Sequence, residues 1–169
     1  MAVVNTKSTL VTNADSTTQT LNALANDGGK LRSKVGTLEA VSGDSIGSTY
    51  RIVRVPSNAR VDALLVSSDD IGTTTAGDVG LYRTAADGGA VVDADFFASA
   101  LSLSGGALAK VDITYESAVV DTPNHGKMLW EQLGLSADPR VMYDIAVTLT
   151  AAADAAGTIT LRCNYVDGN

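Results

Sequence analysis

The sequence predicts an all-β protein: an antiparallel β-sandwich of the jelly-roll type, with one short helix and an extended N-terminal arm. Its 169 residues include 16 glycines, and its acidic residues are mostly Asp rather than Glu. Glycine and Asp favour turns, whereas Glu favours helix interiors. Seven or eight short segments suited to strands are separated by turn signals, which is typical of a sandwich.

The clearest strands lie in the last 30 residues. In the segment 158–165, apolar side chains occupy the odd positions and polar side chains the even ones. This alternation indicates a strand with one buried face and one wet face. The segment 141–150 alternates nearly as well. Because a loop rich in alanine separates the two segments, they are predicted to pair as an antiparallel hairpin.

The middle of the chain holds a similar pair of segments. Residues 60–67 and 78–83 are predicted as a second hairpin, joined by a polar loop at 69–75. Residues 50–55 form another strand, which ends at Pro56 because proline cannot continue a central strand. The remaining candidates are two weaker strands and one segment that is ambiguous between a helical turn and a strand: 35–41, 111–115 and 93–100, in that order.

One helix is predicted over residues 127–133. Asn124 or His125 would cap its start, and Gly134 would end it in the left-handed conformation.

The first 30 residues are predicted to be an extended arm, and residues 31–169 the sandwich body. The arm lacks aromatic residues, and its apolar residues are too scattered to pack a core. The sequence Asp27-Gly28-Gly29 marks a turn or hinge at its end. A frayed terminus is one interpretation. The other is an arm that becomes ordered on a neighbouring subunit. Its candidate contact residues are Val3, Val4, Asn5, Thr6, Lys7, Leu10, Val11, Asn13, Leu21 and Leu24.

The sequence contains few residues or motifs that indicate catalysis. A single cysteine and a single histidine exclude an intrachain disulfide, a Cys/His zinc site and most Cys–His catalysis. His125 lies in a turn context, and no Gly-x-Ser-x-Gly nucleophile elbow is present. The carboxylate pairs Asp69/Asp70 and Asp93/Asp95 lack the spacing of a calcium loop. We therefore predict no catalytic residue, cofactor or metal. Four further residues are assigned to the core: Cys163, Phe96, Phe97 and Trp130.

The charge distribution excludes other classes of partner. The formal net charge is −7, and no stripe of Lys and Arg is present to follow a phosphate backbone, so direct binding of DNA or RNA is not expected. No run of 18 apolar residues predicts a membrane span. Residues 1–7 lack the features of a signal peptide, which predicts a protein made and used without crossing a membrane.

Six stretches, spread over nearly the whole chain, carry a resemblance to a known family. They are 1–8 (MAVVNTKS), 43–51 (GDSIGSTYR), 55–60 (VPSNAR), 68–74 (SDDIGTT), 93–97 (DADFF) and 129–135 (LWEQLGL). In them the chain resembles small virion proteins of tailed bacteriophages, namely the capsid decoration or cement proteins with a jelly-roll body.

The resemblance implies a non-enzymatic protein on the outer capsid surface, made in the host cytoplasm. It would cement neighbouring subunits of the phage major capsid protein against internal DNA pressure, and it would associate with itself as a homodimer or homotrimer. The family has no active site to carry over. Two alternatives stay open: a tail or fibre module that binds a host surface glycan, and a hydrolase that uses paired acidic residues.

Overall fold

The computed structural model describes residues 6–18 and 20–168. Within them the chain forms two four-stranded antiparallel sheets, which confirms the predicted all-β sandwich. The first sheet has the order β1-β8-β3-β6 and the second the order β2-β7-β4-β5. The strands are β1 Leu31–Ala40, β2 Thr49–Pro56, β3 Ala59–Ser68, β4 Ala76–Arg83, β5 Val91–Ser102, β6 Leu108–Asp112, β7 Met142–Ala151 and β8 Gly157–Asp167.

This strand order is that of a jelly roll. Strand β1 pairs with β8, β2 with β7, β3 with β6 and β4 with β5, as in a long hairpin wrapped into two sheets. Except for the turn between β4 and β5, each connection therefore crosses from one sheet to the other. The loops 41–48, 69–75, 103–107 and 152–156 lie together at one end of the sandwich, here called the loop end. The other connections and the segment before β1 lie at the opposite end, here called the arm end.

Both predicted hairpins are wrong as pairings, although their strands are present. Strands β7 and β8 belong to different sheets, and so do β3 and β4. Alternation of apolar and polar residues reports which face of a strand is buried, and it does not identify the neighbouring strand. The alanine-rich loop 152–156 instead carries the chain across the edge of the sandwich.

The core lies between the two sheets. Phe96 and Phe97 are fully buried, with their ring centroids 4.9 Å apart in an edge-to-face arrangement, which confirms them as core residues. Cys163 is also fully buried, and burial raises the pKa of its thiol to about 12, so the thiol stays protonated and inert. Trp130 differs from its prediction because it is only half-buried.

The two sheets meet closely along the edge formed by β1 and β2. A Cβ atom added to Gly36 of β1 would lie 2.1 Å from the backbone oxygen of Ile52 in β2. Lys34 of β1 crosses the same edge, where its Nζ donates a hydrogen bond of 2.6 Å to the backbone oxygen of Arg54. This edge of the sandwich is therefore closed by direct contact of its two strands.

The outer face of the second sheet is covered by the chain itself. Strand β5 departs from regular pairing with β4 at several bulges, and its residues 93 and 94 lie against Gly80, where an added Cβ would be 2.1 Å from the backbone oxygen of Asp93. Ala146, which pairs with Gly80 on the same face, is fully buried. The ambiguous segment 93–100 thus belongs to a strand whose bulges disturb the alternation of its residues.

The predicted helix is present but begins later than expected. Helix α1 spans Thr9–Ala14 in the arm, and helix α2 spans Leu129–Gln132. Met128 precedes α2 as its N-cap residue, where its N–H donates a hydrogen bond of 2.8 Å to Oε2 of Glu131. The prediction of Asn124 or His125 as the cap is wrong, because a separate 3₁₀ turn over Thr122–Asn124 uses these residues. Gly134 follows α2 with φ of 70°, which confirms the left-handed end.

The loop end is held by side chains that bond to neighbouring loops. Oδ2 of Asp154 accepts hydrogen bonds from the backbone N–H and the hydroxyl of both Thr73 and Thr74, with donor–acceptor distances of 2.8–3.2 Å. Oδ2 of Asp44 accepts from the hydroxyl of Tyr50 at 2.6 Å. These hydrogen bonds lower the pKa of both carboxyl groups below the ordinary value of 3.8 because they stabilise the charged form.

Neutralising Asp154 is expected to lower the melting temperature in a pH-dependent way. Since the pKa of Asp154 is lowered in the folded protein, its contribution to stability is complete above 3.8 and is lost as the pH falls through the folded value. The melting temperatures of the wild type and Asp154→Asn should differ at pH 7 and converge under acid conditions. The exposed Asp70 serves as a control, and an Asp70→Asn effect of equal size would contradict this role.

Candidate attachment surface

The arm is folded rather than extended in the part that the structure describes. A six-residue helix, α1, spans Thr9–Ala14, with Oγ of Ser8 accepting a hydrogen bond of 3.3 Å from the N–H of Val11 at its start. The exposed ion pair between Nζ of Lys7 and Oδ2 of Asp15 measures 2.6 Å across the helix. The prediction of an extended segment is therefore corrected at residues 9–14. An N-cap serine stabilises so short a helix only weakly.

A chain of polar side chains joins α1 to the turn that follows it. Nδ2 of Asn13 donates a hydrogen bond of 2.6 Å to Oδ1 of Asn22, and Nδ2 of Asn22 donates one of 2.9 Å to Oδ2 of Asp27. Gly28 then adopts φ of 85°, a conformation that favours glycine. The hinge predicted at Asp27-Gly28-Gly29 is thus a tight turn next to the start of β1.

The turn is attached to the body by a small number of contacts. Ala25 is 3% exposed, and its backbone oxygen accepts a hydrogen bond of 3.0 Å from Nε of Arg60 in β3. A groove of ≈ 620 Å³ opens beside this contact. Its walls are Leu10 and Leu21 from the arm and Arg60 and His125 from the body. Sequence reasoning missed Ala25 and Arg60, because neither has a local signal of this pairing.

Four of the predicted contact residues expose large apolar side chains in the described part of the chain. Leu21 is 82% exposed, and Leu10, Val11 and Leu24 are each at least 40% exposed. These four apolar side chains lie within 15 residues of one another along the chain, and the body leaves all of them exposed. Thr6 and Lys7 are also exposed, and Asn13 bonds within the arm. The remaining predicted residues, Val3, Val4 and Asn5, lie outside the described residues.

The arm end carries one unusual pair of titratable side chains. The hydroxyl of Tyr115 hydrogen-bonds to Nδ1 of His125, and the two rings stack with their centroids 5.4 Å apart. His125 lines the groove, and its contact with Tyr115 fixes the orientation of the imidazole ring. Across residues 6–18 and 20–168, Tyr115 is the one largely exposed aromatic side chain, whereas a glycan-binding platform usually presents several rings.

A second polar contact at the arm end fixes the chain before β7. Oγ of Ser57 donates a hydrogen bond of 2.5 Å to Oδ1 of Asp138 and accepts one of 3.2 Å from the N–H of Val141. Ser57 is buried, and its two hydrogen bonds position this turn. In the described residues there is no group of three or more His, Cys, Asp or Glu that could hold a metal ion, and no helix there could span a membrane.

Among solved structures, this chain matches chains of two phage capsids. One is the capsid asymmetric unit of cyanophage Pam1, where the alignment has a TM-score of 0.53 at 13% identity and covers 90% of this chain and 96% of that one. The other is the acidic stable capsid structure of Helicobacter pylori bacteriophage KHP30, with a TM-score of 0.41, 16% identity and coverage of 83% and 94%. No protein-family model and no curated protein sequence matches this chain. At this identity the Pam1 likeness shows a shared fold.

Proposed function

We propose that this chain is a non-enzymatic structural protein of a tailed-bacteriophage virion. It decorates the outer capsid surface and cements neighbouring subunits of the major capsid protein against the pressure of packaged DNA. The main support is the jelly-roll likeness to a chain of the Pam1 capsid asymmetric unit. Because that likeness covers 90% of this chain and 96% of the other, the two chains match as whole units of similar length.

In this proposal the arm end makes the attachment to the shell. Leu10, Val11, Leu21 and Leu24 offer apolar surface that the body leaves exposed. Burying one such leucine on a partner contributes about 1.5 kcal/mol. The arm is joined to a rigid body, so each contact raises the effective concentration of the next. Modest individual contacts on two neighbouring subunits then hold those subunits together.

The charges at the two ends support the same orientation. The four loops of the loop end contain Asp44, Asp69, Asp70 and Asp154 but no Lys or Arg. The arm end carries both signs, with Lys30, Arg60, Lys127 and Arg140 among its cations. An acidic outward end favours solubility and repels nucleic acid, whereas a mixed-charge end can approach another protein without strong repulsion.

Deleting residues 2–18 is expected to weaken binding strongly to expanded shells that lack this protein, because it removes Leu10 and Val11. The deletion removes α1 and spares Ala25, whose contact with Arg60 joins the arm to the body. The body should therefore keep its melting temperature. Co-sedimentation of the deletion variant and the full chain with the shells measures the loss.

A pair of matched double variants separates attachment from general loss of apolar surface. Leu21→Ser with Leu24→Ser should weaken binding about 100-fold, since two leucines contribute about 3 kcal/mol when buried. Val41→Ser with Ile46→Ser removes two exposed side chains at the loop end and should leave binding unchanged. Full binding by the deletion variant, or equal losses from both double variants, would refute attachment through the arm end.

A further inference from the structure

The two sheets differ in how their outer faces are covered. On the second sheet, β5 folds over β4, and Tyr82, Asp144 and Ala146 are buried although they point away from the core. On the first sheet, Arg162 is exposed, and Leu65 is only half-buried. The described part of the chain therefore leaves one broad sheet face open to solvent.

One cross-strand row on this open face has a distinctive order of side chains. Val35 of β1 pairs with Arg162 of β8, Arg162 pairs with Leu65 of β3, and Leu65 pairs with Asp112 of β6. Directly paired residues share a face of the sheet. The row therefore reads, from one edge to the other, as apolar, cation, apolar and carboxylate.

The rows next to it hold only uncharged side chains on β1, β8 and β3, and Lys110 of β6 lies at the end of one of them, with its backbone N 3.0 Å from Oγ of Ser67. Thr37, Thr160 and Ser67 form the row on one side, with Oγ1 of Thr37 and Oγ1 of Thr160 3.1 Å apart. Ser33, Asn164 and Ala63 form the row on the other side. In a chain of net charge −7, such a face is where a second copy can approach with little repulsion.

The two charges of the row are not paired with each other. They sit on strands separated by β3, so two strand spacings of about 4.8 Å lie between their backbones. Arg162 makes no side-chain hydrogen bond or ion pair with the described residues. Asp112 accepts from the N–H and hydroxyl of Thr114 at 2.9 and 2.6 Å and remains exposed. Each charge is thus open to a partner.

We propose that this face is the contact between two copies of the chain, related by a two-fold axis that runs along β3. A two-fold rotation about that axis reverses the order of the strands across the interface. Leu65 then meets Leu65 of the second copy, and Arg162 faces Asp112 of the second copy on both sides of the axis. Sheets pack face to face in this way with a modest twist between them, and a two-fold interface is self-complementary by construction.

The proposal goes beyond shell attachment, because it concerns the contact between two copies of this chain. Dimerisation can be measured with the purified protein alone, without shells. Sedimentation velocity of the full chain should show a concentration-dependent dimer. Arg162→Glu and Asp112→Arg, taken singly, place like charges opposite each other at two positions and should each weaken dimerisation at least about 100-fold.

Mixing the two single variants provides the sharpest readout. In the mixed pair each interface position again joins opposite charges, so an equimolar mixture should form a heterodimer although neither variant dimerises alone. The double variant Arg162→Glu/Asp112→Arg should dimerise by itself. Lys127→Glu makes the same charge change at the arm end and should leave the dimer intact. Because Asp112 also bonds Thr114, Leu65→Lys serves as a second disrupting variant if Asp112→Arg melts early.

Several results would overturn the proposal. A wild-type chain that stays monomeric would do so, as expected if the shell rather than a second copy occupies the face. So would a trimer, an unchanged dimer in Arg162→Glu, or folded single variants that fail to associate when mixed. None of these results bears on binding to shells through the arm, which the deletion of residues 2–18 tests separately.

Discussion

The substitution Gly36→Ala is expected to lower the free energy of unfolding by about 3 kcal/mol. In most strands this change is mildly stabilising, because alanine restricts the unfolded chain more than glycine does. Here the new Cβ would lie 2.1 Å from the backbone oxygen of Ile52. Neither backbone can move freely, since β1 is bonded to β8 and β2 to β7. Equilibrium denaturation in urea measures the loss.

Gly126 provides the matched control for this substitution. A Cβ added there has its nearest neighbour, Nδ2 of Asn26, at 3.5 Å, an ordinary contact distance. Gly126→Ala should therefore change the stability by less than about 0.5 kcal/mol. If Gly36→Ala is as mild as the control, the contact between β1 and β2 is not a constraint on closure of the sandwich.

The second large effect is expected from Asp144→Asn, which should cost about 3 kcal/mol. Asp144 is 5% exposed, and its carboxylate accepts hydrogen bonds from two arginines of β2. Nε and Nη2 of Arg54 lie 2.6 and 3.2 Å from its two oxygens, and Nη1 of Arg51 lies 3.3 Å away. An amide cannot accept all of these bonds or neutralise the arginines, so the edge strand β2 loses these side-chain bonds to β7 and keeps its backbone pairing.

A more exposed ion pair serves as the control for the effect of burial on the stability that Asp144 contributes. Arg83 and Asp87 lie 3.0 Å apart, and their side chains are 34% and 51% exposed, where such a pair contributes less than about 1 kcal/mol. Asp87→Asn should therefore be close to neutral in the same urea titration. Equal losses of unfolding free energy from Asp87→Asn and Asp144→Asn would show that the buried network stabilises the protein no more than an exposed ion pair does.

The strands were predictable because a half-buried strand alternates apolar and polar residues along its sequence. The segment 158–165 falls within β8, and its odd-numbered residues are all buried. The pairing of β7 with β8 was wrongly predicted because a five-residue loop can close a hairpin or cross a sandwich equally well. Strand β6 gave a weak signal because Lys110 adopts φ of 55° next to a bulge opposite β3, which breaks the alternation.

In the arm, the sequence predicted the exposed apolar residues but missed the helix and its contact with the body. The leucines of the arm were predicted as contact residues because they are isolated among polar neighbours, and this stays a prediction. Helix α1 was missed, since its sequence TLVTNA contains poor helix formers and only Ser8 signals a cap. The bond between Arg60 and Ala25 joins residues far apart in sequence, and the open face of the first sheet depends on which strands pair. Neither the bond nor the open face can be predicted from the sequence of a single segment.

The buried thiol of Cys163 gives this protein a practical advantage. It is the single cysteine of the chain, and it is enclosed between the sheets with a pKa of about 12, so a maleimide dye should leave the folded wild type unlabelled. A cysteine introduced at an exposed position such as Leu21 or Ile46 would then be the sole reactive group. Fluorophores could be placed on either tip of the molecule without first removing a native residue, which suits energy-transfer measurements of how copies sit on an assembled particle.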